Sequence, residues 1–423
     1  MELIFATIGG LIVGIAAGLL PALPVFTGPM ILYYFVNEQY ALLSLLVFWM
    51  TSYCGTQYFG SIATITTGIP GEESSTIYLK DLHTINPYQK LRLLYETALG
   101  SFIASLTALL FIWFLLRFAN PDIFPYLLSL EVQLIVFGLA LLSFLVTSSQ
   151  KIVVFFLICF GLAIGPKQNY SLPNVWYDLT QVFNGYTLYM VILGTIIIPS
   201  IFTESNPNAT SHVGHKKLPK GISNPFVYLR GTLVGLLAGL IPGPSASVAT
   251  SYAYRFEKNK FHKIVSAETA NNAAVITCCI PFFLLGIPIN SNTLIMSNVM
   301  DLYSINIIEE ITKHIDTLIP IMIGISCIYF FLSTRLIDQY ARIVRSLHGK
   351  MRWIMLIILL FLISMDLSYS EITWDRYFAL LTGFTFLGFI LNYTKINAIP
   401  FLFAIILSDK IVWLVTQSIR IYL

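Results

Sequence analysis

Glu268, Asn271 and Asn272 lie three and four residues apart inside a run of otherwise apolar sequence. On a helix that spacing places one carboxylate and two amides on a single face. Such a face has two chemical uses. Carboxylate and amide oxygens suit a hard cation such as Na+, while amide N–H groups suit a carboxylate substrate. Polar side chains at membrane depth mark a functional site by default. The plainer alternative is a helix-end cluster in the headgroup zone, beside Lys260 and Lys263.

Two breaks flank this face, Ile241-Pro242-Gly243-Pro244 before it and Gly286-Ile287-Pro288-Ile289-Asn290 after it. Proline removes an N–H donor and disfavours helix at the residue before it. A half-helix starting after Pro244 would leave free N–H groups at Ser245, Ala246 and Ser247, and with the helix dipole these make an anion site. A kink relieved by Ser and Thr hydroxyls is the alternative. The same geometry follows Pro21 and Pro24, where Thr27 and Gly28 are available. A second Gly-Ile-Pro turn, Gly68 to Gly71, leads into Glu72, Glu73, Ser74 and Ser75. Acidic residues there cap a helix N-terminus, or at the midplane bind H+ or Na+ in a transport cycle. Asn290, Ser291, Asn292 and Thr293 take the matching place in the second half without charge. The expected substrate-binding set is therefore Thr27, Gly28, Gly71, Ser74, Ser75, Gly243, Ser245, Ser247, Asn271, Asn272, Asn290 and Ser291. The expected coupling-ion set is Glu72, Glu73, Glu268 and Asn272.

The elements that must hold these residues belong to a membrane. Of 423 residues, 57% are apolar and 11% charged, against about 25% charged in soluble domains. The net charge of +3 says little about partners, and nothing points to nucleic acid. Non-helical backbone at membrane depth survives only where it is buried in protein or lines a cavity, and broken helices are the usual binding sites of secondary transporters. The five cysteines read as small buried hydrophobes, with Cys278 and Cys279 on different sides of a helix. Cysteines and histidines form no metal-ligand set. Among membrane enzymes, a Ser–His pair, a His-rich motif or paired aspartates would be expected at membrane depth, and none stands there. Glu96, Glu131 and Asp366 are weaker candidates that helix ends explain.

Spans of about 20 apolar residues are expected at Leu3–Leu20, Val25–Phe35, Ala41–Tyr53, Leu93–Phe118, Ile123–Val146, Ile152–Gly165 and Tyr186–Phe202. Gly60–Ile77 reads as a re-entrant or broken-helix element and Lys80–Arg92 as a polar, basic loop. Without a basic n-region or cleavage site, the first span is a membrane helix and not a signal peptide. Residues 204–224 form the polar linker between a first repeat (1–203) and a second (225–423). Spans near Leu318–Leu332, Met351–Ile363, Phe378–Leu391 and Ile399–Val415 bring the total to about ten to twelve crossings.

Duplication is read from two alignments. Gly10, Gly14, Gly18 and Pro21 match Gly231, Gly235, Gly239 and Pro242, each 221 residues on; Gly68-Ile69-Pro70 matches Gly286-Ile287-Pro288, 218 residues on. Glycines four apart make a groove for a close helix neighbour. The loop after the first Gly-Ile-Pro turn is basic (Lys80, Lys90, Arg92) and that after the second acidic (Asp301, Glu309, Glu310, Asp316). Positive charge favours the cytoplasmic side, so the repeats are expected to be inverted.

Gly231–Gly243, the element Ala267-Glu268-Thr269-Ala270-Asn271-Asn272-Ala273-Ala274 and Leu285-Gly286-Ile287-Pro288 resemble the large permease subunit of the tripartite tricarboxylate transporters, the TctA-type family. The resemblance implies an all-α polytopic protein of a prokaryotic inner membrane, importing a small organic anion such as a di- or tricarboxylate. It implies coupling to Na+ or H+, with no other cofactor. The implied partners are a small membrane subunit and a periplasmic or extracellular solute-binding protein. Two departures stand out: the chain is shorter than the usual large permease, and Glu72-Glu73 occupy positions where neutral residues are expected. A polyprenyl-phosphate translocase is the alternative reading, and a membrane-embedded enzyme a more remote one.

Overall fold

The computed structural model describes residues 2–20, 28, 29, 31, 32, 41–67, 73–82, 84–118, 129–148, 150–165, 186–203, 224–241, 245–286, 288–302, 307–348, 350–370, 372–394, 396, 398–406, 408, 411, 412 and 414–417. Among them there is no strand. The protein is an all-α, polytopic membrane protein.

Local chemistry sets most of the helix ends. α1 (Glu2–Leu19) stops two residues before Pro21, and α2 spans Leu42–Thr67. A 3-10 turn, Glu73–Tyr78, runs into a short helical turn, Leu79–Leu82. α3 (Pro87–Phe118) opens on proline, α4 (Leu130–Thr147) is capped by Ser129, and α5 covers Lys151–Ile164. α6 starts as Leu188–Ile192 under a Thr187 cap, widens to a π-turn at Leu193–Ile197 and resumes as Ile198–Thr203. α7 (Pro225–Gly239) has Pro in its first turn behind an Asn224 cap, the position where a missing N–H costs nothing. α8 (Ser245–Phe256), α9 (Lys260–Thr277, capped by Asn259) and α10 (Cys279–Leu285) follow. Gly286 ends α10 with φ at 62°, a left-handed geometry that glycine adopts without a Cβ penalty. The chain continues as α11 (Ser291–Leu302), α12 (Ile307–Arg335), α13 (Ile337–His348), α14 (Met351–Tyr369), α15 (Trp374–Tyr393) and α16 (Ile399–Ile406). By length and apolarity three described segments suffice to cross a bilayer, Glu2–Leu19, Gln89–Phe118 and Ile311–Arg335.

The chain forms two compact units, and each draws on both sides of the 204–224 segment. The first unit comprises residues 1–120, 206–288 and 295–351. In it the glycine stripe of α1 lies on α2. A Cβ on Gly10 would sit 2.8 Å from the Phe48 carbonyl oxygen, one on Gly14 2.8 Å from that of Ser52, and one on Gly18 2.8 Å from that of Thr56. The glycine stripe of α7 lies on α9 in the same way, with Gly231 against the Ser266 carbonyl, Gly235 against that of Ala270 and Gly239 against that of Ala274. Each contacted residue on α9 lies 218 positions after its counterpart on α2. Between apolar helices in lipid, close backbone approach of this kind is the main source of adhesion.

Helices α2 and α9 run antiparallel, since Gln57 meets Asn271 while the earlier Tyr53 meets the later Cys278. α3 and α12 are antiparallel too. The Trp113 indole donates to Asp316 at 3.0 Å, and Phe102 stacks on Phe330 at 4.9 Å. α12 reaches α2 through the Tyr329 hydroxyl, which donates to the Thr51 carbonyl at 2.7 Å, and α13 rests on α2 through Tyr340 against Phe59. Ile4, Phe5, Ile8 and Ile12 on α1, and Leu229, Leu233 and Leu237 on α7, face outward, as lipid-facing stripes of membrane helices do.

The second unit comprises residues 121–205, 289–294 and 352–423. Gly161 of α5 packs against the backbone of α16, and Gly388 of α15 packs against Gly194 and Thr195 in the π-turn of α6. A Cβ on Gly388 would lie 2.6 Å from the Gly194 carbonyl oxygen. The extra residue of a π-turn widens the helix, and here α15 fits against it.

Several expectations need correction. α2 is unbroken through Gly55 and Gly60 to Thr67, so residues 60–67 of the expected broken element are regular helix, and residues 68–72 lie outside the described residues. Glycine is tolerated in a membrane helix because no water competes for its backbone bonds. Lys90 is on α3 and buried, not in a loop. Cys159 and Cys327 are exposed, while Cys54, Cys278 and Cys279 are buried. The Cys278 and Cys279 thiols both contact the Val275 carbonyl oxygen, at 3.0 and 3.9 Å. Glu96 and Asp366 are not explained by helix ends. Both are 0% exposed and hydrogen-bonded inside their units.

Candidate functional site

α9 is the centre of the first unit, and nearly its whole length is buried. Alanine and threonine dominate the faces that meet α7 and α8, so those helices approach closely and cover it. Glu268, Asn271 and Asn272 are 1%, 1% and 2% exposed, which rules out a cluster at a solvated helix end.

Three other elements answer these side chains. The Asn271 amide donates to Gln57 Oε1 of α2 at 2.8 Å. The Asn272 amide donates to Ser101 Oγ of α3 at 2.8 Å and to the Glu268 carbonyl at 3.0 Å. Glu268 Oε1 accepts from the Tyr78 hydroxyl at the end of the 3-10 turn. Glu268 Oε2 is buried and has no hydrogen-bond partner among the described residues. Burying a polar atom unpaired costs about 1–3 kcal/mol, so this oxygen marks a place where the protein tolerates strain for a purpose or holds a further group.

The remaining predicted residues divide by location. Ser74 and Ser75 lie in the 3-10 turn and are buried; Thr64 Oγ1 of α2 is 3.3 Å from Ser75 Oγ. Ser245 opens α8 and is buried, and Ser247 is half-buried on its first turn. α8 packs against both the 3-10 turn and α9, so the half-helix after the Pro-Gly-Pro break, the turn after the first Gly-Ile-Pro and the carboxylate–amide face meet in one unit. Gly28 backs onto Ser52 of α2. Asn290 belongs to the second unit, where its side chain accepts from the Thr293 N–H at 2.8 Å and caps α11. Ser291 starts that helix. Thr27, Gly71, Glu72 and Gly243 lie outside the described residues, as does the side chain of Glu73.

Gln57, Ser101 and Tyr78 were not singled out as site residues. Gln57 carried a signal, being a lone amide in an apolar helix; Ser101 and Tyr78 carried none. Around the site further buried pairs tie the helices together. Arg92 and the Tyr228 hydroxyl hold Glu96 at 2.9 and 2.6 Å, joining α3 to α7. The Tyr254 hydroxyl donates to Asp81 at 2.6 Å, joining α8 to the turn before α3. In the second unit Asp366 accepts from Thr187 and from Tyr377, each at 2.8 Å.

Among the described residues no three His, Cys, Asp or Glu side chains come together as a metal site. Among the described residues, a cation at Glu268 would be met by one carboxylate and by amide, hydroxyl and carbonyl oxygens. That donor set suits a proton or an alkali cation and not a transition metal.

Residues 4–403 match the model of the tripartite tricarboxylate transporter TctA family. The chain is also similar to a protein of Agrobacterium vitis described as an uncharacterized 52.8 kDa protein in the TAR-I ttuC' 3' region, at 28% identity over 313 residues. That match covers 66% of this chain and 60% of the relative, so the chain spans under two thirds of the curated relative's length. No solved structure matches. A family match over nearly the full length, on a polytopic helical protein, leads to one assignment: the chain belongs to the tripartite tricarboxylate transporter TctA family.

Proposed function

We propose that this chain is the membrane permease of a secondary, cation-coupled importer of a small organic anion, a di- or tricarboxylate. It would act in a prokaryotic inner membrane beside a small membrane subunit and a solute-binding protein. The observation that carries this reading is the meeting of Glu268, Asn271 and Asn272 with Gln57, Ser101 and Tyr78 inside one unit of a membrane protein. Intramembrane ionisable groups are costly and serve transport where they persist. The Ser245 and Ser247 end of α8 offers N–H donors to a carboxylate, and Asn271 and Asn272 complete the substrate side. Glu268 serves the coupling cation, with Glu72 and Glu73 as further candidates. Family membership supports transport over enzymatic activity.

We further propose that the two halves are inverted repeats. What supports this is the constant 218-residue offset of the α1–α2 and α7–α9 contacts, and the antiparallel course of α2 against α9 and of α3 against α12. Helices equivalent by a two-fold axis in the membrane plane run in opposite directions.

The test is uptake of labelled di- and tricarboxylates into proteoliposomes, with and without the solute-binding protein, under imposed ion gradients. Gradient-driven accumulation of one acid, lost in Asn272→Ala, is the expected result. Absence of uptake of every acid in the full assembly would reject the reading.

A further inference from the structure

We infer that the coupling ion is a proton and that Glu268 carries it. The inference rests on the transport reading above and narrows its cation to one.

The argument is the surroundings of one carboxyl group. Glu268 is 1% exposed on a helix that is itself buried. A buried ionised carboxylate needs a counter-charge or several donors, because desolvation without them is prohibitive. Glu268 has neither among the described residues. The ion pairs found there are Arg92–Glu96, Arg117–Asp316, Arg230–Glu257 and Lys260–Asp81, and none reaches it. One hydroxyl, that of Tyr78, serves Oε1, and Oε2 has no partner. An ionised carboxylate offers about four acceptor sites; a neutral carboxylic acid needs far less from the protein.

Titratable groups on the elements packed against α9 do not supply the missing charge. Tyr53 of α2 meets Cys278, Glu96 of α3 is held by Arg92 and by Tyr228 of α7, and Asp81 is held by Tyr254 of α8 and by Lys260; Lys90 of α3 is buried, and among the described residues it makes no ion pair with Glu268. Cys279 of α10 is turned to the Val275 carbonyl. The nearby amides are committed as well: the Asn271 nitrogen to Gln57 Oε1, and the Asn272 nitrogen to Ser101 and to the Glu268 carbonyl. Gln57 Oε1 already accepts the Asn271 N–H, so an Na+ ion there would have to share an oxygen that is half used. The site thus fits a proton on Glu268 better than an alkali ion beside it.

The transfer balances simply. In the outward-facing state a water-borne proton adds to a Glu268 carboxylate oxygen, giving the neutral acid. After reorientation the O–H bond breaks toward the cytoplasm and the carboxylate returns. Tyr78 remains a donor throughout, and no redox partner is needed.

Two measurements test this. Infrared difference spectra of the full-length protein in lipid should show a protonated-carboxyl C=O band that disappears as pH rises and is missing from Glu268→Gln. Absence of that band, or its persistence in the variant, would overturn the assignment without reference to any substrate. In proteoliposomes, an acid-outside pH gradient should drive accumulation and an Na+ gradient at equal pH should not. Glu268→Gln should lose pH-driven accumulation by about tenfold or more, while Glu268→Asp should retain it in part. Accumulation driven by Na+ alone would sink the proton and leave the carboxylate-transport reading standing. No movement of any acid under either gradient would instead reject the transport reading and the coupling with it, while the infrared band reports separately on the proton.

Discussion

The Tyr78 hydroxyl donates to the Glu268 carboxylate across 190 positions of sequence. That bond joins the 3-10 turn, which follows the first Gly-Ile-Pro sequence, to the buried face of α9. The state of one carboxyl group is thereby felt by the element that leads out of a proline break. One bond of about 1–3 kcal/mol is small enough to be exchanged during a transport cycle.

Replacing Tyr78 by Phe should therefore affect transport more than folding. The expected loss of stability is about 1–3 kcal/mol, read as a modest fall in Tm in detergent. Uptake should fall by about tenfold or more. A variant that transports normally would remove the tie from the mechanism.

Amides and hydroxyls on the site should behave as a network. Asn272→Ala and Ser101→Ala each leave a buried partner unpaired, so the double variant should cost less than the sum of the two. A coupling of about 0.5–3 kcal/mol in a double-mutant cycle on thermal unfolding is expected for side chains in contact. Additivity would place Ser101 outside the site.

Gly10→Val and Gly231→Val should destabilise to a similar degree. In each case the added Cβ meets a carbonyl oxygen of the facing helix, at 2.8 and 2.7 Å, and overpacking costs about 1–3 kcal/mol. Comparable drops in Tm for the two variants check the equivalence of the α1–α2 and α7–α9 contacts. A large effect in one with none in the other would argue against it.

Asp366→Asn should damage the fold and spare the coupling. Its carboxylate accepts from Thr187 and Tyr377, and an amide nitrogen would face one of those donors, costing about 1–3 kcal/mol. The protein that does fold should keep its response to an imposed pH gradient. Loss of that response would make Asp366, and not only Glu268, part of the coupling.

Thiol labelling provides a simple check of packing. A maleimide should leave Cys54, Cys278 and Cys279 untouched in the folded protein and modify them once it is unfolded. Modification is read by mass spectrometry before and after unfolding in detergent.

Composition and local pattern determined the class of this protein. Apolar runs and the spacing of Glu268, Asn271 and Asn272 are local signals, and they led to a polytopic helical protein and a polar face on α9. The same locality explains the failures. Gly60 looked like a break because glycine weakens helices in water, yet α2 runs through it in an environment where backbone bonds have no competitor. Glu96 looked like a helix-end acid because its partner Tyr228 is 132 positions away. Gln57, Ser101 and Tyr78 became site residues only because three separate elements pack against α9. Spacing along one helix determines which side chains share a face, whereas the groups that answer that face depend on packing between distant segments, and that is decided by the tertiary structure.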